Sequence, residues 1–346
     1  MTGPLDRRTK RPATYARACP EMNPRNRILL LHTGGTIGMV PTARGLKPEL
    51  GVVEYAVGRL MAERGNDLDI EIVRLEPLID SANATPADWN RLAAEIVARA
   101  DSCDAILITH GTDTLAFTSS ALTMALEGLH KPVILTGSMI PLGGDNSDGW
   151  ANLRDALAAT QTAEPGVWIQ FAGKLLRGPR ARKIHSSAPD AFSAMLSDRP
   201  PRREGETLAQ HRFGEARIAV VPVAPGCDMR VVGFAMDTCD GVVLRCYGSG
   251  TVPDDPLLEQ GLARAADRGI PVVAVSETLA GGTSLGHYAA GAVLLDHGVI
   301  DGRDMTLEAA YAKLSLALAT VTGRAALATF LETPLCGEFG APFPVP

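Results

Sequence analysis

From residue 27 onward the chain alternates short apolar runs with stretches in which apolar positions recur every three or four residues, the pattern of a parallel sheet joined by crossover helices. The apolar runs predict strands over Arg27 to His32, Asp69 to Leu75, Ala105 to His110, Pro132 to Gly137 and Gly166 to Phe171. Helices fall between them. The clearest helix start has Thr85 as N-cap, Pro86 at the first position and Asp88 in the first turn, ahead of an apolar stripe through Leu92, Ile96 and Val97. Further helices are predicted from Thr114 to Leu129 and from about Asp148 to Thr162. Residues 197–215 lose this periodicity and concentrate Pro, Gly and charge, as an interdomain linker does. The alternation then resumes, with strands over Arg217 to Val223, Gly241 to Cys246 and Pro271 to Ser276, and helices over Pro256 to Asp267 and Thr306 to Thr322. The expected fold is α/β in two domains. A larger doubly wound, mostly parallel, flavodoxin-like sheet occupies 27–196, and a smaller C-terminal α/β domain occupies 216–346, after an N-terminal extension over 1–26 that is expected to be disordered.

A length of 346 residues suits two domains, and 46% apolar with 21% charged residues is a globular composition. The formal charge is −6, and no apolar run reaches the roughly 18 residues of a membrane span. Neither a membrane protein nor a nucleic-acid-coating surface is expected. The six cysteines (Cys19, Cys103, Cys227, Cys239, Cys246, Cys336) form no C-x-x-C pair and have no His at metal-ligand spacing, which reads as free thiols in a reducing compartment. Residues 1–27 carry seven Lys/Arg against two Asp/Glu and no apolar core of a signal peptide, so a cytoplasmic location is expected. The basic arm reads as a tail or as a nucleic-acid or targeting arm, and Met22 is an alternative start.

Three strand ends carry hydroxyl or carboxylate residues next to turn-forming ones. The first strand runs into Thr33-Gly34-Gly35-Thr36-Ile37-Gly38, where a glycine pair lets the backbone turn sharply and approach a ligand. It has neither phosphate-loop nor dinucleotide-loop spacing, and taken alone it reads first as a structural turn. The third strand runs into His110-Gly111-Thr112-Asp113-Thr114, where Thr112 and Asp113 also suit a helix cap. The loop holding Ile79-Asp80-Ser81 ends at the same sheet edge, the edge where open parallel sheets bind ligands. In the basic run Arg177-Gly178-Pro179-Arg180-Ala181-Arg182-Lys183 the three arginines read as solvated charge. Lys183 can instead fold back on Thr112 and Asp113, giving a hydroxyl, carboxylate and amine set that activates a hydroxyl without histidine.

Six ordered blocks carry a resemblance: TGGTIGM at 33–39, HGTDTLAFTSSAL at 110–122, KPVILTGS at 131–138, SDGWANLRDAL at 147–157, RGPRARK at 177–183 and RCYGSGT at 245–251. Together they resemble the L-asparaginases, and most of all the cytoplasmic bacterial type I enzymes, over roughly 27–335. The resemblance implies hydrolysis of L-asparagine to L-aspartate and ammonia by a homodimer or homotetramer, without metal or organic cofactor. It implies Thr36 as nucleophile, Thr112, Asp113 and Lys183 as a second catalytic set, and a substrate held by Asp80, Ser81, Thr112 and Asp113. Whether Lys183 works as an electrostatic group or as a base stays open at this level. Because Asn and Gln differ by one methylene, worth about 1–3 kcal/mol in a fitted pocket, minor glutaminase activity is expected.

The chain departs from the family pattern at three places. Gly45-Leu46-Lys47 stands where many relatives carry a mobile Tyr, and Gly248-Ser249-Gly250-Thr251 replaces G-x-G-N. A regulatory asparagine site in some relatives uses an Arg matching Arg245 and a T-Q-C segment that here reads Ser276-Glu277-Thr278, with Glu277 expected to repel the effector. Two other functions compete with this reading. One is the amidase subunit of a tRNA-dependent amidotransferase, for whose extra N-terminal domain the 26-residue arm is too short. The other is a non-catalytic amino-acid or anion-binding protein, for which a proton-transfer set is unneeded.

Overall fold

The computed structural model describes residues 27–340 except 44 and 66. The expectations for the basic arm, Cys19 and Met22 lie outside the described residues.

Five parallel strands form most of the first sheet, in the spatial order Asp69–Arg74, Arg27–His32, Ala105–Thr109, Pro132–Thr136 and Gly166–Phe171, and an antiparallel strand, Lys174–Arg177, closes one edge. The three middle strands read as unbroken Ile, Leu and Val runs because both faces are covered, and nearly every residue in them is buried. Strand order reverses between Arg27–His32 and Ala105–Thr109, the flavodoxin-like switch point. The chain is thus α/β with a mostly parallel main sheet and a second, separate parallel sheet of Ile218–Pro222, Gly241–Cys246, Val272–Ser276 and Ile300–Asp301.

Helix Pro86–Arg99 starts as expected. The backbone N–H of Thr85 donates to the Asp88 carboxylate at 2.9 Å, Pro86 occupies the first turn, and Trp89, Leu92, Ala93 and Ile96 form its buried stripe. Helix Leu115–Ala125 is buried on nearly all sides because it lies between the main sheet and helix Leu307–Thr320 of the C-terminal half. It ends four residues earlier than its pattern suggests. Leu126–Glu127 leave the helix to pair as a short strand with Ala209–Gln210, and Gly128 turns with φ +71°.

The polar segment 197–215 is held against the body by that pairing and by a second one. Asn90 donates to the Phe213 carbonyl and accepts from its N–H, at 2.8 and 2.9 Å. Phe213 then packs edge-on against Trp89 at 5.1 Å, and Trp89 meets Tyr311 of the C-terminal half at 6.3 Å.

The basic run after Arg177 corrects the sequence reading. Arg180 is 1% exposed. Its guanidinium pairs with Asp304 at 2.5 Å and donates to the carbonyls of Leu196, Asp304 and Glu338, so it joins the halves of the molecule instead of facing water. Acceptors so distant in sequence leave no signal in a local charge pattern. Arg177 stacks over Trp168, and Arg182 reaches the Thr278 carbonyl. A second buried ion pair, Lys313 with Glu338 at 2.7 Å, anchors the end of the described chain; Glu338 also accepts from the N–H groups of Leu335 and Cys336.

Candidate active site

The site grows from the C-terminal ends of the three strands around the switch point. Their loops are knitted backbone to backbone. Thr33 donates through both N–H and hydroxyl to the Thr109 carbonyl, and Ile79 donates to the Thr33 carbonyl at 2.6 Å. A Cβ on Gly35 would lie 2.5 Å from the Gly111 nitrogen, and Gly35 has φ +89°, so only glycine fits. The two glycines bring Thr36 and Thr112, the residues that follow them, to the same seam.

Ser81 closes the third side. Its hydroxyl occupies the space that a Cβ on Gly111 would need, and its carbonyl accepts from the Thr114 hydroxyl at 2.8 Å. Asp80 sits exposed at the rim, where its carboxylate caps the turn Ser81–Asn83 through the N–H of Ala82 and the Asn83 amide. The short hairpin Ala181–Lys183/Phe192–Ala194, which has no periodic signal, delivers Lys183. The Lys183 ammonium donates to the Thr112 hydroxyl at 2.9 Å and to the Asp113 carboxylate at 2.8 Å. Thr112 is 6% exposed, whereas Asp113 faces solvent.

Thr112, Asp113 and Lys183 therefore meet directly, and Ser81 locks onto the same turn. Thr36, half-buried at the head of the turn Thr36–Gly38, follows Gly35, whose backbone lies against Gly111, but its hydroxyl bonds none of Thr112, Asp113 and Lys183. Beyond it the chain forms an exposed hairpin, Met39–Thr42 with Gly45–Pro48, on which Leu46 is half exposed.

Two buried histidines under the site escaped the sequence reading. His32 bonds the Thr109 hydroxyl at 2.7 Å, and burial holds its pKa below the ordinary value, with Glu54 raising it and Arg74 lowering it. His110 contacts the Gly111 carbonyl and the Thr118 hydroxyl, and burial lowers it likewise. Asn152, in helix Gly149–Thr162, donates to the Gly137 carbonyl at 3.0 Å and so supports the turn behind Thr112. His110 and Asn152 lie inside two of the conspicuous motifs, but each has a backbone carbonyl among its partners that no spacing rule reveals.

Away from this site, Ser276 and Thr278 bond each other at 2.7 Å, and their hydroxyls also reach the carbonyls of Gly248 and Ala280. Burial, then Cys227 and Glu277, push the Tyr247 hydroxyl above its ordinary value.

With this arrangement in hand, residues 27–203 match the family model described as asparaginase, N-terminal, and residues 217–331 match the glutaminase/asparaginase C-terminal domain. The chain belongs to the asparaginase family. Among curated relatives of this asparaginase-family hydrolase is L-asparaginase 1 of Escherichia coli strain K12, 38% identical over 90% of this chain and 97% of that one. L-asparaginase I of Vibrio cholerae superposes with a TM-score of 0.82 at 33% identity, covering 91% of this chain and 99% of that one. A glutamyl-tRNA(Gln) amidotransferase subunit of Methanopyrus kandleri is 32% identical over 90% of this chain and 74% of its own length.

Proposed function

We propose that the chain is an L-asparagine amidohydrolase that releases L-aspartate and ammonia, with Thr36 as nucleophile. The observation that carries this reading is Lys183 donating to both the Thr112 hydroxyl and the Asp113 carboxylate at the sheet's switch point, one glycine contact away from Thr36.

A threonine hydroxyl attacks only if its proton has somewhere to go and the amide oxygen finds donors as it gains charge. In the proposed sequence the Thr36 Oγ bonds to the side-chain amide carbon of asparagine, and the carbonyl oxygen takes up the displaced electron pair. The N–H of Thr112, which has no acceptor among the described residues, suits that oxyanion. Because the Lys183 ammonium fills a lone pair of the Thr112 oxygen, the Thr112 proton is directed into the crevice, where it passes to the leaving nitrogen. The Thr112 oxygen meanwhile takes up the proton that Thr36 loses, so the Thr112 hydroxyl is regenerated. Ammonia departs, leaving an aspartyl ester on Thr36. Water then attacks this ester, giving aspartate and restoring the Thr36 hydroxyl. Asp80 and Asp113 hold the substrate's α-amine, while the Ser81 turn receives its α-carboxylate.

A one-methylene distinction of about 1–3 kcal/mol leaves minor glutaminase activity. The five free cysteines among the described residues support a cytoplasmic location. Val231 and Phe234, 62% and 67% exposed on helix Met229–Thr238, support a homodimer or homotetramer. The likeness to an amidotransferase subunit supports a second reading, in which the chain serves a partner.

The test is ammonia release from free asparagine by the purified chain. Thr36→Ala and Thr112→Val are each expected to lose nearly all of it while remaining folded. A variant that keeps near-parental turnover removes that residue from the mechanism, and no release by the parent chain favours the amidotransferase reading.

A further inference from the structure

Behind Thr112 lies a chain of side chains whose hydrogen-bond directions are fixed by chemistry alone. The Gly111 carbonyl has no hydrogen to give, so the His110 Nδ1, 2.8 Å away, must carry the proton between them. The ring is 1% exposed, and burial disfavours its charged form, leaving Nε2 as a lone pair. The Thr118 hydroxyl, 3.1 Å from Nε2, donates to it. Its own oxygen is then free to accept the Trp89 indole N–H, 3.2 Å away. Every donor in the series Trp89, Thr118, His110 thus has one acceptor, and the series ends on the peptide joining Gly111 to Thr112.

We infer that His110 is a positioning residue for the reaction: by holding the Gly111 carbonyl toward the protein interior it turns the opposite end of the same trans peptide, the Thr112 N–H, toward the substrate. In a planar peptide the C=O and N–H point in opposite directions, so fixing one fixes the other. His110 touches no reacting atom. Its effect passes through the donor that stabilises the oxyanion and through the backbone that carries the Thr112 hydroxyl, where small misplacement is costly to rate. The interdomain aromatic contacts of Trp89 with Phe213 and Tyr311 hold the far end of the series in place.

The inference rests on the proposed role of Thr112, and two conservative variants separate it from a packing role. In His110→Asn the new side-chain amide can occupy the place of Nδ1 and still donate to the Gly111 carbonyl. His110→Gln fills more of the cavity and can reach Thr118, but it has no donor at the Nδ1 position. His110→Gln is expected to lower kcat at least about thirtyfold with KM for asparagine within about threefold. His110→Asn is expected to recover to within about fivefold of the parent. A residue that merely fills space gives the reverse order, since Asn is the smaller side chain. In 15N-histidine-labelled full-length protein, the resonances lost in His110→Gln are expected to report a neutral ring protonated on Nδ1 at pH 7. Protonation on Nε2, or an Asn variant no better than the Gln variant, overturns the inference. Full turnover by Thr36→Ala or Thr112→Val with the Nδ1 tautomer intact instead overturns the proposed mechanism, so the two failures are distinguishable.

Discussion

Lys183 lies 71 positions from Thr112 in sequence, yet its ammonium rests 2.9 Å from the Thr112 hydroxyl. The contact depends on a three-residue strand paired with Phe192–Ala194, so the amine has a fixed origin rather than a flexible reach. Lys183→Met keeps the length of the side chain and removes the donor. Such a change is expected to lower kcat by about 10²–10⁴-fold, the usual contribution of a proton transfer, because the Thr112 proton loses the donor that directs it. An ammonia assay, with thermal unfolding as control for folding, checks this.

The glycine seam should matter as much as the lysine. Gly35→Ala forces a Cβ to within 2.5 Å of the Gly111 nitrogen at φ +89°. The loops must part, and both the Thr36 hydroxyl and the oxyanion donor move. One misplaced donor costs about 2.7–4 kcal/mol of transition-state stabilisation, so a loss of about 10²–10³ in kcat is expected. Gly45→Ala, on the exposed hairpin where a Cβ meets nothing within 4 Å, serves as the comparison for strain from positive φ alone.

Arg180→Met tests the clamp between the halves. It leaves Asp304, 7% exposed, as an uncompensated buried carboxylate. Removing one partner of such a pair typically costs about 3–5 kcal/mol. Urea unfolding should show that loss, and the double variant with Asp304→Leu should recover part of it because the stranded charge is gone.

Acid should act in two stages. His32 and His110 are held below the ordinary value of 6.5 by burial, so the unfolded chain binds protons that the folded one refuses. Their contribution is complete above about pH 6.5 and falls as pH drops through the lowered values. Burial pushes Glu338 up, but Lys313 and the N–H groups of Cys336 and Leu335 push it down further, below its ordinary 4.5. That contribution is present above about pH 4.5 and is lost as pH falls through the depressed value. Melting temperature measured against pH should therefore start to fall near pH 6.5 and fall more steeply below 4.5, and His32→Asn should flatten the upper stage.

The main sheet was readable in the sequence because its strands are covered on both faces, which turns Arg27–His32, Ala105–Thr109 and Pro132–Thr136 into solid apolar runs. Helix Pro86–Arg99 announced itself through Thr85, Pro86 and Asp88. Helix Val52–Arg64 carries a weak stripe between two left-handed glycines, Gly51 and Gly65, and gave no comparable signal. Of the proposed site residues, Thr112 and Asp113 are adjacent and share a motif, whereas Lys183 joins them only through tertiary folding. Arg180 was misread for the same reason: its partners, Leu196, Asp304 and Glu338, lie up to 158 positions away. Local sequence describes a residue's neighbours along the chain, and the fate of a long cationic side chain is set by neighbours in space.

The buried tether from Lys313 through Glu338 to Arg180 bears on where this protein can be cut. The C-terminal family match stops at residue 331, yet Glu338 supplies both a carboxylate to Lys313 and a carbonyl to the turn three residues ahead of Lys183. A version trimmed to the match would strand the Lys313 ammonium in the interior, take an acceptor from Arg180 and loosen the hairpin beneath the amine. Split-protein reporters, domain swaps between homologues and shortened expression versions should therefore keep residues 332–340 together with 27–203, because the two sheets are wired into one cooperative body.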